Sequence, residues 1–214
     1  MLRENDQAFL MRFDREVDRA SLTSSREYLA NGLASLDRTR PGGTMLYEAV
    51  FLAFDETIKK QPGRKALIVL SDGVDHGSRQ TLDDAIMAAQ RADTVVYSIR
   101  FADDMSNPMR FSDAGGPRQR GVLGMGGSQE PEQPLDGKQV LERISRETGG
   151  RLFEVSKRET IDQIFSTIAE ELRHQYSLGY ALGAGVAGGY HRIHLATKQK
   201  DLTVQTRAGY YAER

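Results

Sequence analysis

The residues of this 214-residue chain that could do chemistry crowd into two short stretches. Ser71-Asp72-Gly73-Val74-Asp75-His76 puts a hydroxyl, two carboxylates and an imidazole close together, and Pro41-Gly42-Gly43-Thr44 sets a second hydroxyl on a turn. The first stretch holds the parts of a nucleophile, a base and an orienting acid. A hydrolase working through Asp72, Asp75 and His76, with Ser71 beside them, is therefore one reading. Against it, the chain has no Gly-x-Ser-x-Gly elbow to present a serine nucleophile. A plainer reading also stands here, since Ser-Asp-Gly is ordinary chemistry for the turn that ends a strand. The other histidines add little. His191 and His194 are three apart in a strand-like run, so they point to opposite faces and cannot chelate together. His174 falls at a helix end, where an imidazole meets the dipole favourably.

Asp72 is positioned by what precedes it. Ala66-Leu67-Ile68-Val69-Leu70 is a short apolar run with turn formers on both sides, which predicts a strand buried on both faces. In open parallel sheets ligands bind beyond the carboxyl ends of such strands, and Asp72 lies there. Upstream, residues 7–13 and 17–22 read as short strands and residues 25–37 as an amphipathic helix behind Ser24-Ser25-Arg26-Glu27. The stripe Leu46, Val50, Ala53, Phe54, Ile58 predicts a helix over 45–60. Downstream come a helix over 82–92 capped from Thr81, a strand over 94–101, a helix over 137–148 stopped by Gly149-Gly150, and a strand over 151–155. A long helix follows, capped from Thr160. Strand and helix alternate, which argues an α/β fold with a mainly parallel sheet.

Two stretches depart from that alternation. Residues 102–136 are rich in Gly and Pro and poor in large apolar side chains, and predict a flexible insertion. The tail, 176–214, alternates polar and apolar over 177–182, 190–196 and 202–207, which predicts an antiparallel β extension. Its tyrosines, Tyr176, Tyr180, Tyr190, Tyr210 and Tyr211, read as packing between tail and domain.

Bulk properties exclude several classes. Net charge is −1 with no Lys/Arg block, so nothing marks a nucleic-acid footprint. With no cysteine there are no disulfides, thiolate metal sites or Cys nucleophile. No apolar run reaches the roughly 18 residues of a membrane span, and residues 1–6 lack the apolar core of a signal peptide.

Gly-Gly-Thr-x-x-Tyr-x-Ala (Gly42 to Ala49), followed by Leu-Ser-Asp-Gly-x-Asp (Leu70 to Asp75), resembles the von Willebrand factor type A (VWA) domain. More narrowly it is similar to the bacterial VWFA-related group described from acidobacteria. Gln175-Tyr-Ser-Leu-Gly-Tyr180, Tyr190-His-Arg-Ile193 and Arg207-Ala-Gly-Tyr210 match that group's C-terminal pattern. The resemblance implies a three-layer Rossmann-like fold, with residues 1–175 as the VWA-like domain and 176–214 as its β extension. It further implies a non-enzymatic protein-binding module with a metal-ion-dependent adhesion site. There Mg²⁺ or another divalent cation captures an acidic group of a protein partner. Thr44 and Asp72 match that site's second and third loops; Asp75 has no family role and reads as a solvated turn residue.

The site's first motif, Asp-x-Ser-x-Ser, does not occur in the chain, and neither does the first strand that carries it. In the family that strand lies between those matching 7–13 and 65–71. The expectation is an N-terminal truncation; strand complementation by another chain, self-association, or a degenerate site are the alternatives. Metal binding by this chain is accordingly expected to be weak or absent. Relatives of this kind suggest an extracytoplasmic or secreted location for the full-length protein.

Overall fold

A computed structural model describes residue 3 and residues 6–35, 43–101, 136–180 and 188–212. The predicted insertion lies almost wholly outside the described residues, as does Gly42. The sheet at the centre has three parallel strands in the order β3 (Lys65–Ser71), β4 (Thr94–Phe101), β5 (Leu152–Val155). A helix follows each strand: α3 (Leu82–Arg91), α4 (Gly137–Thr148) and α5 (Ile161–Arg173). Earlier in the chain come a hairpin, β1 (Met11–Phe13) with β2 (Val17–Arg19), then α1 (Arg26–Ala34) and α2 (Leu46–Leu52). The mixed α/β architecture with a parallel sheet is thus the one the alternating pattern predicts, and it is consistent with the Rossmann-like fold that the resemblance implies.

Side-chain alternation along the strands divides the core into two layers. Val69 and Val96 join α2, α3 and α4 through Leu46, Val50, Phe54, Ile86 and Leu141, and the hairpin's Met11 and Phe13 pack on that layer. On the opposite face Tyr97, Ile99 and Phe153 meet Ile164 and Ile168 of α5. Burial pushes the Tyr97 hydroxyl well above its ordinary range, and the neighbouring Glu171 carboxylate adds to the effect. Two boundaries are set by the predicted devices: Thr81 with Asp84 and Thr160 with Gln163 each form a complete capping box. Gly149, in the left-handed region at φ 89°, terminates α4.

Several expectations are corrected. The strand at 65–71 is not buried on both faces: only Val69 is fully buried, and Leu70 is 43% exposed. The reason is topological. Among the described residues β3 has one neighbour, β4, and its other edge is open. The stripe of the 45–60 helix is buried as predicted, but the helix widens into a π turn at Ala53–Thr57 and tightens to a 3-10 turn at Ile58–Lys60. Arg19 reaches Thr57 Oγ1 there at 2.7 Å. α1 starts one residue later than the capping-box spacing implies; Ser25 caps it by accepting from the Tyr28 amide.

In the tail, β6 (Gly189–Arg192) pairs antiparallel with β7 (Gly209–Ala212), while 202–207 is not a strand. It is tied to the end of α4 instead: Gln205 Nε2 donates to the Gly149 carbonyl and, just past the stretch, the Ala208 amide donates to the Glu147 carbonyl. Residues 177–180 form no strand, and 181–182 lie outside the described residues. The tyrosines pack chiefly on one another, Tyr180 against Tyr210 and Tyr190 against Tyr211, and Arg91 of α3 lies over the Tyr211 ring. Tyr176 is 94% exposed and packs on none of the other tyrosines among the described residues.

Candidate functional site

The loop after β3 and the loop before α2 meet at the carboxyl edge of the sheet. The His76 amide donates to the Thr44 carbonyl at 2.7 Å, and a Cβ placed on Gly43 would come within 2.8 Å of the His76 carbonyl oxygen. Thr44 and Asp72, twenty-eight positions apart, therefore share one rim.

What fastens the two loops is Asp75. One of its carboxylate oxygens accepts from the Tyr47 amide at 3.0 Å and from Ser78 Oγ at 2.7 Å. The other accepts from the Ser78 amide at 3.3 Å. Ser78 Oγ in turn accepts from the Glu48 amide at 3.0 Å, and the Glu48 carboxylate takes the Arg79 amide at 3.2 Å. Tyr47 and Glu48 are in the first turn of α2, whose own N-cap, Met45, makes no side-chain capping bond. The amides left over at that helix start are thus satisfied by residues some thirty positions downstream. A carboxylate there also meets the positive end of the helix dipole. Asp75 is not the solvated turn residue expected from sequence; it is half-buried and caps a helix. Burial, reinforced by the Asp75 charge, raises the Tyr47 hydroxyl above its ordinary range.

Asp72 is different. It is exposed, and one oxygen closes a local turn by accepting from the Val74 amide at 3.0 Å, with Ser71 Oγ at 3.4 Å. Gly73 behind it is buried with φ 88°, and a Cβ there would fall 2.0 Å from the Gly137 carbonyl oxygen at the start of α4. Backbone lies directly on backbone, so the Asp72 turn is held rigidly between α2 and α4. Ser71 Oγ accepts from the Gly73 amide at 3.0 Å. No hydrogen bond joins the His76 ring to Ser71 among the described residues, and Asp75 is committed to α2. The trio proposed for hydrolysis is close in sequence but not arranged as a relay.

The capping role of Asp75 and Ser78 was missed because its signal is not local. Asp-x-x-Ser has cap spacing, but the helix it serves begins twenty-nine residues earlier. No group of three or more His, Asp or Glu placed to hold a metal occurs among the described residues. His191 stacks on Tyr210, and His174 caps α5 with Nδ1 on the Glu170 carbonyl at 2.9 Å.

No protein-family model and no curated protein matches the chain. Among solved structures, it is similar to an aerotolerance-related membrane protein from Bacteroides fragilis, at 17% identity over 81% of this chain and 82% of that one, with a TM-score of 0.54. It is similar too to the conserved hypothetical protein BatB from Bacteroides thetaiotaomicron, at 18% identity over 79% and 78%, with a TM-score of 0.53. No helix among the described residues is long and apolar enough to cross a membrane. At these identities the likeness is one of fold, and in fold the chain stands with these two proteins.

Proposed function

We propose that the chain is a non-enzymatic, VWA-like protein-binding module whose contact face is the rim that carries Thr44 and Asp72. One observation carries this reading. Asp72 projects into solvent from a turn held by the Gly73–Gly137 contact and, three residues on, by the Asp75 cap. A carboxylate held that way suits recognition. In the type-A site a divalent cation would supply the bridge between this rim and an acidic group of the partner. A hydroxyl and a carboxylate are the hard oxygen donors Mg²⁺ takes, but it demands about six ligands in octahedral geometry. Thr44 and Asp72 supply only two. The described residues therefore do not by themselves fit the ion, and its affinity for this chain is weak or absent in this proposal.

Titration calorimetry with Mg²⁺ tests the point: tight binding by the 214-residue chain, abolished in Asp72→Ala, would overturn it. The same variant separates the rival readings. A hydrolase would turn over a generic ester or phosphoester and lose that turnover in Asp72→Ala, whereas the binding module shows no turnover at any stage. An interaction domain with a degenerate site would bind its partner equally well with or without Asp72. An extracytoplasmic location belongs to the same proposal; one similar solved structure is described as a membrane protein.

A further inference from the structure

A long connection joins the two strands of the tail hairpin. The Ile193 amide donates to the Ala208 carbonyl at 2.9 Å just past the last rung, and residues 194–205 beyond it are all exposed. The large apolar side chains of that stretch are left in solvent with the rest: Leu195 is 42%, Leu202 54% and Val204 37% exposed. Lys198 and Lys200 lie between the two leucines, and Arg192 stands just before them. None of these three cations has an ion-pair partner among the described residues. Residues 192–204 thus hold three cations against one acid, Asp201, in a chain whose net charge is −1.

The loop has a shape of its own. The Gln199 amide donates to Thr197 Oγ1 at 3.1 Å and, more weakly, the Leu202 amide donates to the Gln199 carbonyl at 3.5 Å. These bonds fold 197–202 into a turn, with Leu195 shortly before it and Leu202 closing it. The foot of the loop is fastened to the body: Gln205 bonds to the Gly149 carbonyl and Arg207 pairs with Asp93. Asp93 and Gly149 lead into β4 and β5, so the foot lies at the amino ends of the parallel strands. The rim of Thr44 and Asp72 lies past their carboxyl ends.

We infer that the 194–205 loop docks the chain on an anionic membrane surface. Leu195, Leu202 and Val204 enter the headgroup region, while Arg192, Lys198 and Lys200 meet the lipid phosphates. Apolar side chains gain by leaving water for the interface, and each lysine gains from the negative surface potential. Firm attachment needs the two contributions together. A bilayer suits this loop better than an acidic protein does. A stable protein interface needs about 800 Å² of matched surface on each partner, whereas a bilayer takes an exposed tip without any matching shape. Docked by its foot end, the chain holds the rim on the side away from the lipid.

Vesicle sedimentation tests this. The chain should bind vesicles of phosphatidylcholine and phosphatidylglycerol at about two to one far better than phosphatidylcholine alone, and less so as salt is raised. Lys198→Gln with Lys200→Gln, and separately Leu195→Ser with Leu202→Ser, should each lower the partition coefficient about tenfold or more. All four positions are exposed, so the circular dichroism should stay that of the wild type. Lys59→Gln with Lys60→Gln, the same charge change on the body, should alter binding by less than about twofold. Because the chain has no cysteine, an environment-sensitive dye can be placed on Thr203→Cys alone. Its emission should move to the blue on the anionic vesicles, and that of the same dye on Asp162→Cys of α5 should not. Failure to sediment with the anionic vesicles overturns the inference. So does binding that the leucine pair leaves unchanged, which would make the loop a basic patch without insertion. Binding to soluble polyglutamate with none to vesicles overturns it in favour of an acidic protein partner.

Discussion

Replacing Asp75 by alanine should cost far more than its place in an Asp-Gly-x-Asp loop suggests. The carboxylate accepts the Tyr47 amide at 3.0 Å, the Ser78 hydroxyl at 2.7 Å and, more weakly, the Ser78 amide at 3.3 Å. Loss of a helix N-cap acceptor costs about 0.5–2 kcal/mol. Its charge at a half-buried helix start is worth up to about 1 kcal/mol more. The sum is about 0.5–3 kcal/mol, or roughly 1–12 °C of melting temperature for a domain of this size. Asp75→Asn keeps the oxygen that meets Tyr47 and loses the charge, so it should cost about 1 kcal/mol. Urea denaturation at neutral pH measures both. Asp72→Ala is the internal control, because Asp72 is exposed and its bonds are to its own turn; it should change stability by no more than about 0.5 kcal/mol. If Asp75→Ala is as mild as Asp72→Ala, the cap is not what fastens the two loops, and the argument for a rigid rim fails with it.

Further expectations concern backbone and charge. Gly73→Ala must strain a positive φ and also displace the Gly137 carbonyl, 2.0 Å from the new methyl, so about 3 kcal/mol or outright failure to fold is expected. Gly63→Ala, at a similar φ of 83° with open space around it, should cost only about 1 kcal/mol, and thermal melts of the pair separate clash from strain. Glu154 is held below its ordinary value of 4.5 chiefly by its hydrogen bond to Lys138 and next by that to Arg100. A carboxyl depressed in the folded state stabilises fully above the ordinary value and loses that contribution as pH falls through the folded one. Carboxyl NMR titration should therefore show Glu154 titrating low, and Lys138→Met should raise it toward the ordinary value, with the Arg100 bond still holding it down.

Legibility followed how local the determining interactions are. Capping boxes are written within four residues, so the starts of α3 and α5 were readable from Thr81 and Thr160. The β4 strand was readable because it lies between two neighbours and two helical layers, where an unbroken apolar run has one meaning. β3 carries the same kind of run, yet its exposure depends on a neighbour, and sequence alone does not count neighbours. The residues 202–207 alternate like a strand, but Gln205 and the adjoining Ala208 bond to the end of α4. At the candidate site, the expectation for Thr44 and Asp72 came from fold resemblance, and the His76–Thr44 backbone bond joins the loops that carry them. The role of Asp75 was illegible, because the helix it caps precedes it by almost thirty residues.

The position of β4 has a kinetic consequence. It is hydrogen-bonded on both edges, and its Val96, Tyr97, Ser98 and Ile99 are all buried. Its amides should exchange with deuterium only when the whole domain opens, whereas those of the three-residue strands β1 and β2 should exchange through local fraying. Protection should thus fall from the middle strand toward the rim of the hairpin. An exchange map would then read as a record of which parts of the chain come apart first.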